Sequence, residues 1–322
     1  MRIFTRFGLM LALFGASASF LRAAPATAPA EIKPIAGEQA KATDFLRFVD
    51  KGSSGGRLET ADIAYRNADG VTVHLVAAVH IGERDYFEGL NQSFKLRDAV
   101  LYEMVKPKDQ PAPEHGQQST SSISQFQRML KDQLDLEFQL DVVDYSAPNF
   151  IHADLDAETF EKMQNERGES MMMLMLKSMF QQMSKPQPEM TEEEADKQIE
   201  DLVHIFTRPD SSRQLKLLLA KNLAQMEEGG MGLDVMGGTV ILTERNKAAM
   251  KTLEHTLKDG KKDIAIFYGA AHMPELSKQL TDMGFKPVAS EWRMAWDLTI
   301  RADEPSAVEQ IIIEALKAMK DM

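Results

Sequence analysis

The chain reads as an α/β (α+β) protein: a central mixed sheet built from two pseudo-repeated strand–helix–strand halves, with a helical cap inserted between them. Three observations predict it. First, Ile264–His272 is a short apolar run that ends in small residues and a histidine. Pro274 then suits the first turn of a helix, Leu276, Leu280 and Met283 recur at helical spacing, and Gly284 stands where a helix stops. A second strand, Pro287–Trp292, follows and delivers Glu291. Second, Val73–His80 repeats this order, with a helix-like stretch carrying Phe87, Leu90 and Phe94 and then Ala99–Glu103. The histidine-to-glutamate separations are alike, 23 residues from His80 to Glu103 and 19 from His272 to Glu291. Third, the interval from about 106 to 235 is helix and loop in pattern, which makes it an insertion and a natural cap over a shared cleft.

In chain order, Arg2 and Arg6 precede the apolar run Phe7–Phe14, and small residues follow at Ala16–Ala18 and Ala24–Ala26. Residues 1–26 therefore fit a secretory signal, and that apolar run is shorter than the ~20 residues a spanning helix needs. The expectation is an exported protein, periplasmic or secreted, with no stable membrane span once the signal is removed. Residues 27–42, rich in Ala and Pro, read as a linker, and 43–322 as one domain. Leu58–Tyr65 and Val71–Val76 resemble two strands joined by Asn67–Gly70, with Asp69 and Gly70 supplying the positive-φ positions of the turn. His74, alternating with its neighbours on the second of these strands, reads as structural.

Within the insertion, Pro107, Pro111 and Pro113 mark a loop, and Phe126, Leu130 and Leu134 step by four, predicting a helix over 123–138. Asp156, flanked by Leu155 and Phe160, is an N-cap for a helix beginning at Ala157. His152 and Asp154 just before it have no such structural explanation and become possible pocket residues. Met171–Met183 predicts a methionine-rich helix, Thr191 with Glu194 a capping box, and Leu215–Met226 a further helix. Val308, Ile311, Ile312, Leu316 and Met319 predict a final amphipathic helix.

Composition narrows the function. The formal charge of −12 over 322 residues, with no basic cluster, argues against a nucleic-acid partner. The absence of cysteine removes disulfides, thiolate ligands and thiol nucleophiles.

Gly269-Ala-Ala-His272, the weaker Ala77-Ala-Val-His80, Tyr102-Glu103 and Glu244-Arg245-Asn246 together resemble the TraB/PrgY/GumN family, which includes the Tiki proteases and is similar in fold to the ChaN and erythromycin-esterase groups. The likeness spans about 57–104 and 239–297. It implies a metal-dependent, peptidase-like hydrolase acting on a peptide or small-molecule substrate, with Glu103 at the position of the family's glutamate. The alternative is a non-catalytic protein of the same fold that sequesters a peptide or a haem-like ligand.

Imidazole and carboxylate groups are the usual ligands of Mn, Co or Zn, and His80, His272 and Glu103 can supply three to a divalent transition metal. A second carboxylate could take the proton from a metal-activated water, and Glu103 and Glu291 both remain open for the two jobs. Arg245, a forked and permanently charged donor, can hold a carboxylate or a developing oxyanion, oriented by Asn246 or Glu244. Ala77 stands where the first motif would carry glycine and implies an ordinary strand conformation there.

Overall fold

The computed structural model describes residues 33–34, 44–111, 134–169, 211–228 and 240–299. The expected signal, the methionine-rich helix, the capping box at Thr191 and the C-terminal amphipathic helix lie outside these residues, as does all of the linker but Lys33 and Pro34.

Among the described residues ten strands are formed: β1 (Lys33–Pro34), β2 (Leu46–Asp50), β3 (Gly56–Arg66), β4 (Thr72–Ala78), β5 (Ile81–Gly82), β6 (Ala99–Tyr102), β7 (Glu137–Phe138), β8 (Phe150–His152), β9 (Asp263–Gly269) and β10 (Lys286–Asp297). Eight of them make one mixed sheet in the order β1-β10-β3-β4-β9-β6-β8, with β2 also paired to β3. The neighbours β4/β9, β9/β6 and β6/β8 are parallel, and the remaining pairs of this sheet are antiparallel. β5 and β7 form a separate two-stranded ribbon.

The helices are α1 (Arg84–Phe94), α2 (Gln139–Val142), α3 (Ala157–Arg167), α4 (Ser211–Glu228), α5 (Arg245–Lys258) and α6 (Met273–Asp282). Thr60 and Tyr65 on β3 point to opposite faces, because side chains alternate along a strand. Thr60 meets the hydroxyl of Tyr86 on α1, whereas Tyr65 bonds Ser277 on α6. So α1 and α6 cover opposite faces of the sheet. This explains why β4, β6 and β9 are apolar almost throughout: strands covered on both sides have no solvent face to keep polar. α1 contributes Phe87, Leu90 and Phe94 to the core, and α6 Met273, Leu276 and Leu280.

The two strand–helix–strand units do not sit side by side. β9 lies between β4 and β6, and β10 lies beyond β3 on the far side of β4. Three local expectations change as well. In the 67–70 turn only Gly70 has positive φ, at 77°, and the Asn67 side chain secures the loop by accepting from the backbone N–H of Asp69 and Val71. The helix expected over 123–138 does not reach its end, since Glu137 and Phe138 are extended and pair with β5. The insertion is also more than helical, because it supplies β8 as the edge strand beside β6.

Candidate active site

The parallel strands set out the site by their ends. His80 follows β4, Glu103 follows β6, Asp154 follows β8, and His272 closes a short 3-10 turn directly after β9. In open α/β sheets ligands gather at this carboxyl edge. Arg245 arrives from outside the sheet as the first residue of α5, after a wide π-helical turn at Val240–Glu244. His80 is exposed, His272 is buried, and Glu103 and Arg245 are nearly so, each side chain 11 % exposed.

Convergence is measured at Gly269. A Cβ built there would lie 3.4 Å from Glu103 Oε2, 3.9 Å from His272 Cδ2 and 4.0 Å from His80 Nε2. Side chains distant in sequence therefore surround one point. Gly269 itself has φ −55° and ψ 144°, which any residue adopts, so the glycine leaves space rather than permitting an unusual backbone. In the β4/β9 register Ala77 lies opposite Tyr268 and Ala78 opposite Gly269. Ala77 accordingly sits in ordinary strand, buried, with its carbonyl accepting from the Tyr86 hydroxyl.

Glu103 is held from both sides. The Gly269 N–H donates to Oε2 at 2.6 Å, while Oε1 lies 2.7 Å from Arg245 Nη2 and 3.5 Å from His272 Nε2. Burial pushes this carboxyl up, but Arg245 together with His272 and His80 outweighs it and holds Glu103 well below the usual carboxylate range. Arg245 also grips Asp154, Nε donating to Oδ1 at 2.9 Å and Nη2 to Oδ2, and the Asp154 side chain is fully buried. Burial lowers the Arg245 pKa, but Glu103 and then Asp154 outweigh it and raise the guanidinium above its ordinary value.

His272 has one tautomer imposed on it. The Asn246 Nδ2 group donates to Glu275 Oε2 at 3.0 Å and to the His272 carbonyl at 3.5 Å, which leaves Asn246 Oδ1 as the atom facing His272 Nδ1 at 2.7 Å. Nδ1 must then carry the proton. Nε2 then faces Glu103 Oε1 at 3.5 Å, a place where a proton or a cation would join the two.

The other expected residues go elsewhere. Glu291 lies on β10, two strands from β4, or about 10 Å by strand spacing. There its Oε2 accepts from Arg293, and its cross-strand neighbour is Asp62. His152 Nε2 is bonded to the Met104 carbonyl at 2.6 Å, and its ring meets the edge of Tyr102, so it braces the β6/β8 ends. Glu244 binds Arg167 and Lys247 and does not orient Arg245; Asp154 does that. Asn246 orients His272 instead. His74 is buried against Asp62 at 2.9 Å, as its place in the strand suggested.

Two contributors escaped sequence reasoning, Glu275 behind Asn246 and Tyr268, whose hydroxyl donates to the Ala153 carbonyl. Burial, with Asp154 and Glu103 nearby, pushes the Tyr268 phenol well up and keeps it protonated. Glu275, one turn into a helix starting at the motif histidine, was the more findable of the two.

As a metal centre the arrangement is incomplete. Among the described residues no group of three His, Asp or Glu side chains is placed to hold an ion, and Glu103 is already engaged by Arg245 and the Gly269 N–H. The two imidazoles and the remaining carboxylate lone pairs do fit a cation in their chemistry. Comparison with family models, curated proteins and solved structures finds no match for the chain.

Proposed function

We propose that the chain is an exported, metal-dependent hydrolase of peptidase type, akin to the TraB/PrgY/GumN family, acting on a peptide or small-molecule substrate. One observation carries the reading: His80, His272 and Glu103 converge on Gly269, with His272 Nε2 3.5 Å from a Glu103 carboxylate oxygen. His80 and His272 would hold a divalent Mn, Co or Zn ion through Nε2, with Glu103 beside them. When bound, such an ion lowers the pKa of a water ligand and polarises a carbonyl.

The protein groups divide the remaining work. Asn246 fixes the ring of His272, so that Nε2 needs no reorientation. Glu103, kept ionised, holds negative charge against the imidazoles. Arg245, 2.7 Å from Glu103, would bring its positive charge to an oxygen that becomes negative during acyl transfer. His80, exposed at the rim, is the group an arriving substrate meets first.

Metal analysis of the purified protein tests this. The expected result is about one divalent transition-metal ion per chain, lost on chelation and lost in His272→Ala. Negligible content in both the parent and the variant overturns the metal reading. A spectral shift on haem addition, with no peptide cleavage, would then point to the sequestering alternative.

A further inference from the structure

The Asp154–Arg245–Glu103 chain contains one more cationic contact than a metal site needs. The Arg245 guanidinium sits 2.7 Å from Glu103 Oε1, where it competes with any cation for that oxygen and repels it. Left alone, it would weaken the very site it borders. It is not left alone, because Asp154 binds it through Nε and Nη2.

Asp154 can reach neither substrate nor ion. Its side chain has no exposure, both oxygens face Arg245, and Oδ1 also accepts from the Leu155 backbone N–H at 2.7 Å. Its place directly after β8, an edge strand running parallel to β6, puts it level with the other site residues yet behind Arg245.

We infer that Asp154 is a positioning residue that sets the cation affinity of the site: it holds Arg245 against β8 and offsets its charge, so that less of that charge opposes an ion bound between the imidazoles beside Glu103. The inference rests on the metal-binding reading above and names what regulates that same site. A buried Asp–Arg pair is close to neutral as a unit. Removing the aspartate exposes Glu103 and its neighbours to an uncompensated guanidinium, and removing the arginine frees the carboxylate. The two changes must act in opposite directions on the ion.

Titration of the full chain with Mn²⁺ and with Zn²⁺, followed by calorimetry, tests this without reference to turnover. Asp154→Asn, nearly isosteric, is expected to weaken binding about tenfold or more, the usual effect of losing a supporting contact behind a metal ligand. Arg245→Gln is expected to bind more tightly than the parent, and the double variant to return toward the parent value. If both single variants weaken binding and the double variant is weaker still, Asp154 is only a structural prop and the inference fails. Should Asp154→Asn not fold, as judged by its melting transition, Arg245→Gln decides alone: tighter binding supports the inference and weaker binding overturns it. A parent that binds neither ion overturns this inference together with the metal reading. A parent that binds while Asp154→Asn matches it overturns the inference alone.

Discussion

A single methyl group added at position 269 would touch Glu103 and both histidines. The backbone there already has ordinary angles and the nearest contact would be 3.4 Å, an ordinary packing distance. Gly269→Ala is therefore expected to melt within about 2 °C of the parent, because neither strain nor a clash is introduced. Metal affinity in the same variant should fall, since the methyl occupies the point on which the three side chains converge. A large drop in melting temperature with unchanged affinity would show that the glycine serves the fold instead. His80, His272 and Glu103 were legible as residues that follow short apolar strands, whereas the repeat that also offered Glu291 misled there. The partners of Arg245 and Asn246 were not. Asp154 is 91 residues from Arg245, and Asn246 reaches His272 across 26, distances at which only the folded sheet decides who meets whom. The adjacent Glu244 was the natural local guess, and Arg167 and Lys247 occupy it.

Among the elements, the β3–β4 hairpin shows how short-range chemistry fixes a register. Asn67 closes the turn with its side chain, and Gly70 completes it at φ 77°. Gly70→Ala should destabilise the protein by about 1 kcal/mol, the usual penalty for an L-residue held in the left-handed region. Nothing lies within 4 Å of the added Cβ, so a melting curve shifted by much more would mean that the turn does something besides reverse the chain. The hairpin, α1 and α6 were readable because their apolar spacing and turn residues are local signals. β7 was not, because two residues of strand cannot outweigh a run of leucines at helical spacing. β8 has no local signal that names its partner. Its three residues gain their meaning from the pairing with β6, which places Asp154 at the site.

At the scale of the whole molecule, buried charge also gathers away from the candidate site among the described residues. Asp62, His74, Arg97, Glu291 and Arg293 share the sheet around β3, with Asp62 Oδ2 lying 3.9 Å from Arg97 and 3.5 Å from Arg293. Asp62 and Glu291 are direct cross-strand neighbours, so like charges face each other. Burial raises the Glu291 carboxyl, Arg293 opposes this, and Asp62 adds to it; the net direction is upward. Asp62 goes the other way: burial raises it, but His74 and the two arginines outweigh that and keep it low. A carboxyl whose folded pKa lies above its unfolded value gives stability at low pH, which is lost as pH rises through the folded value. Glu291→Gln removes this loss. The variant's melting temperature should gain on the parent as pH rises from the ordinary carboxylate range toward neutrality, and a gap independent of pH would refute the assignment.

The interleaved order of strands also governs when the protein can exist at all. β4 and β6 emerge early from the ribosome, yet they make no ladder with each other; the gap between them waits for β9, synthesised more than 150 residues later. Closing so long a loop is slow and leaves unpaired strand margins open to wrong partners in the interval. A nascent polypeptide cut short before Asp263 would thus lack more than His272: β4 and β6 would each keep the edge that β9 covers without a partner.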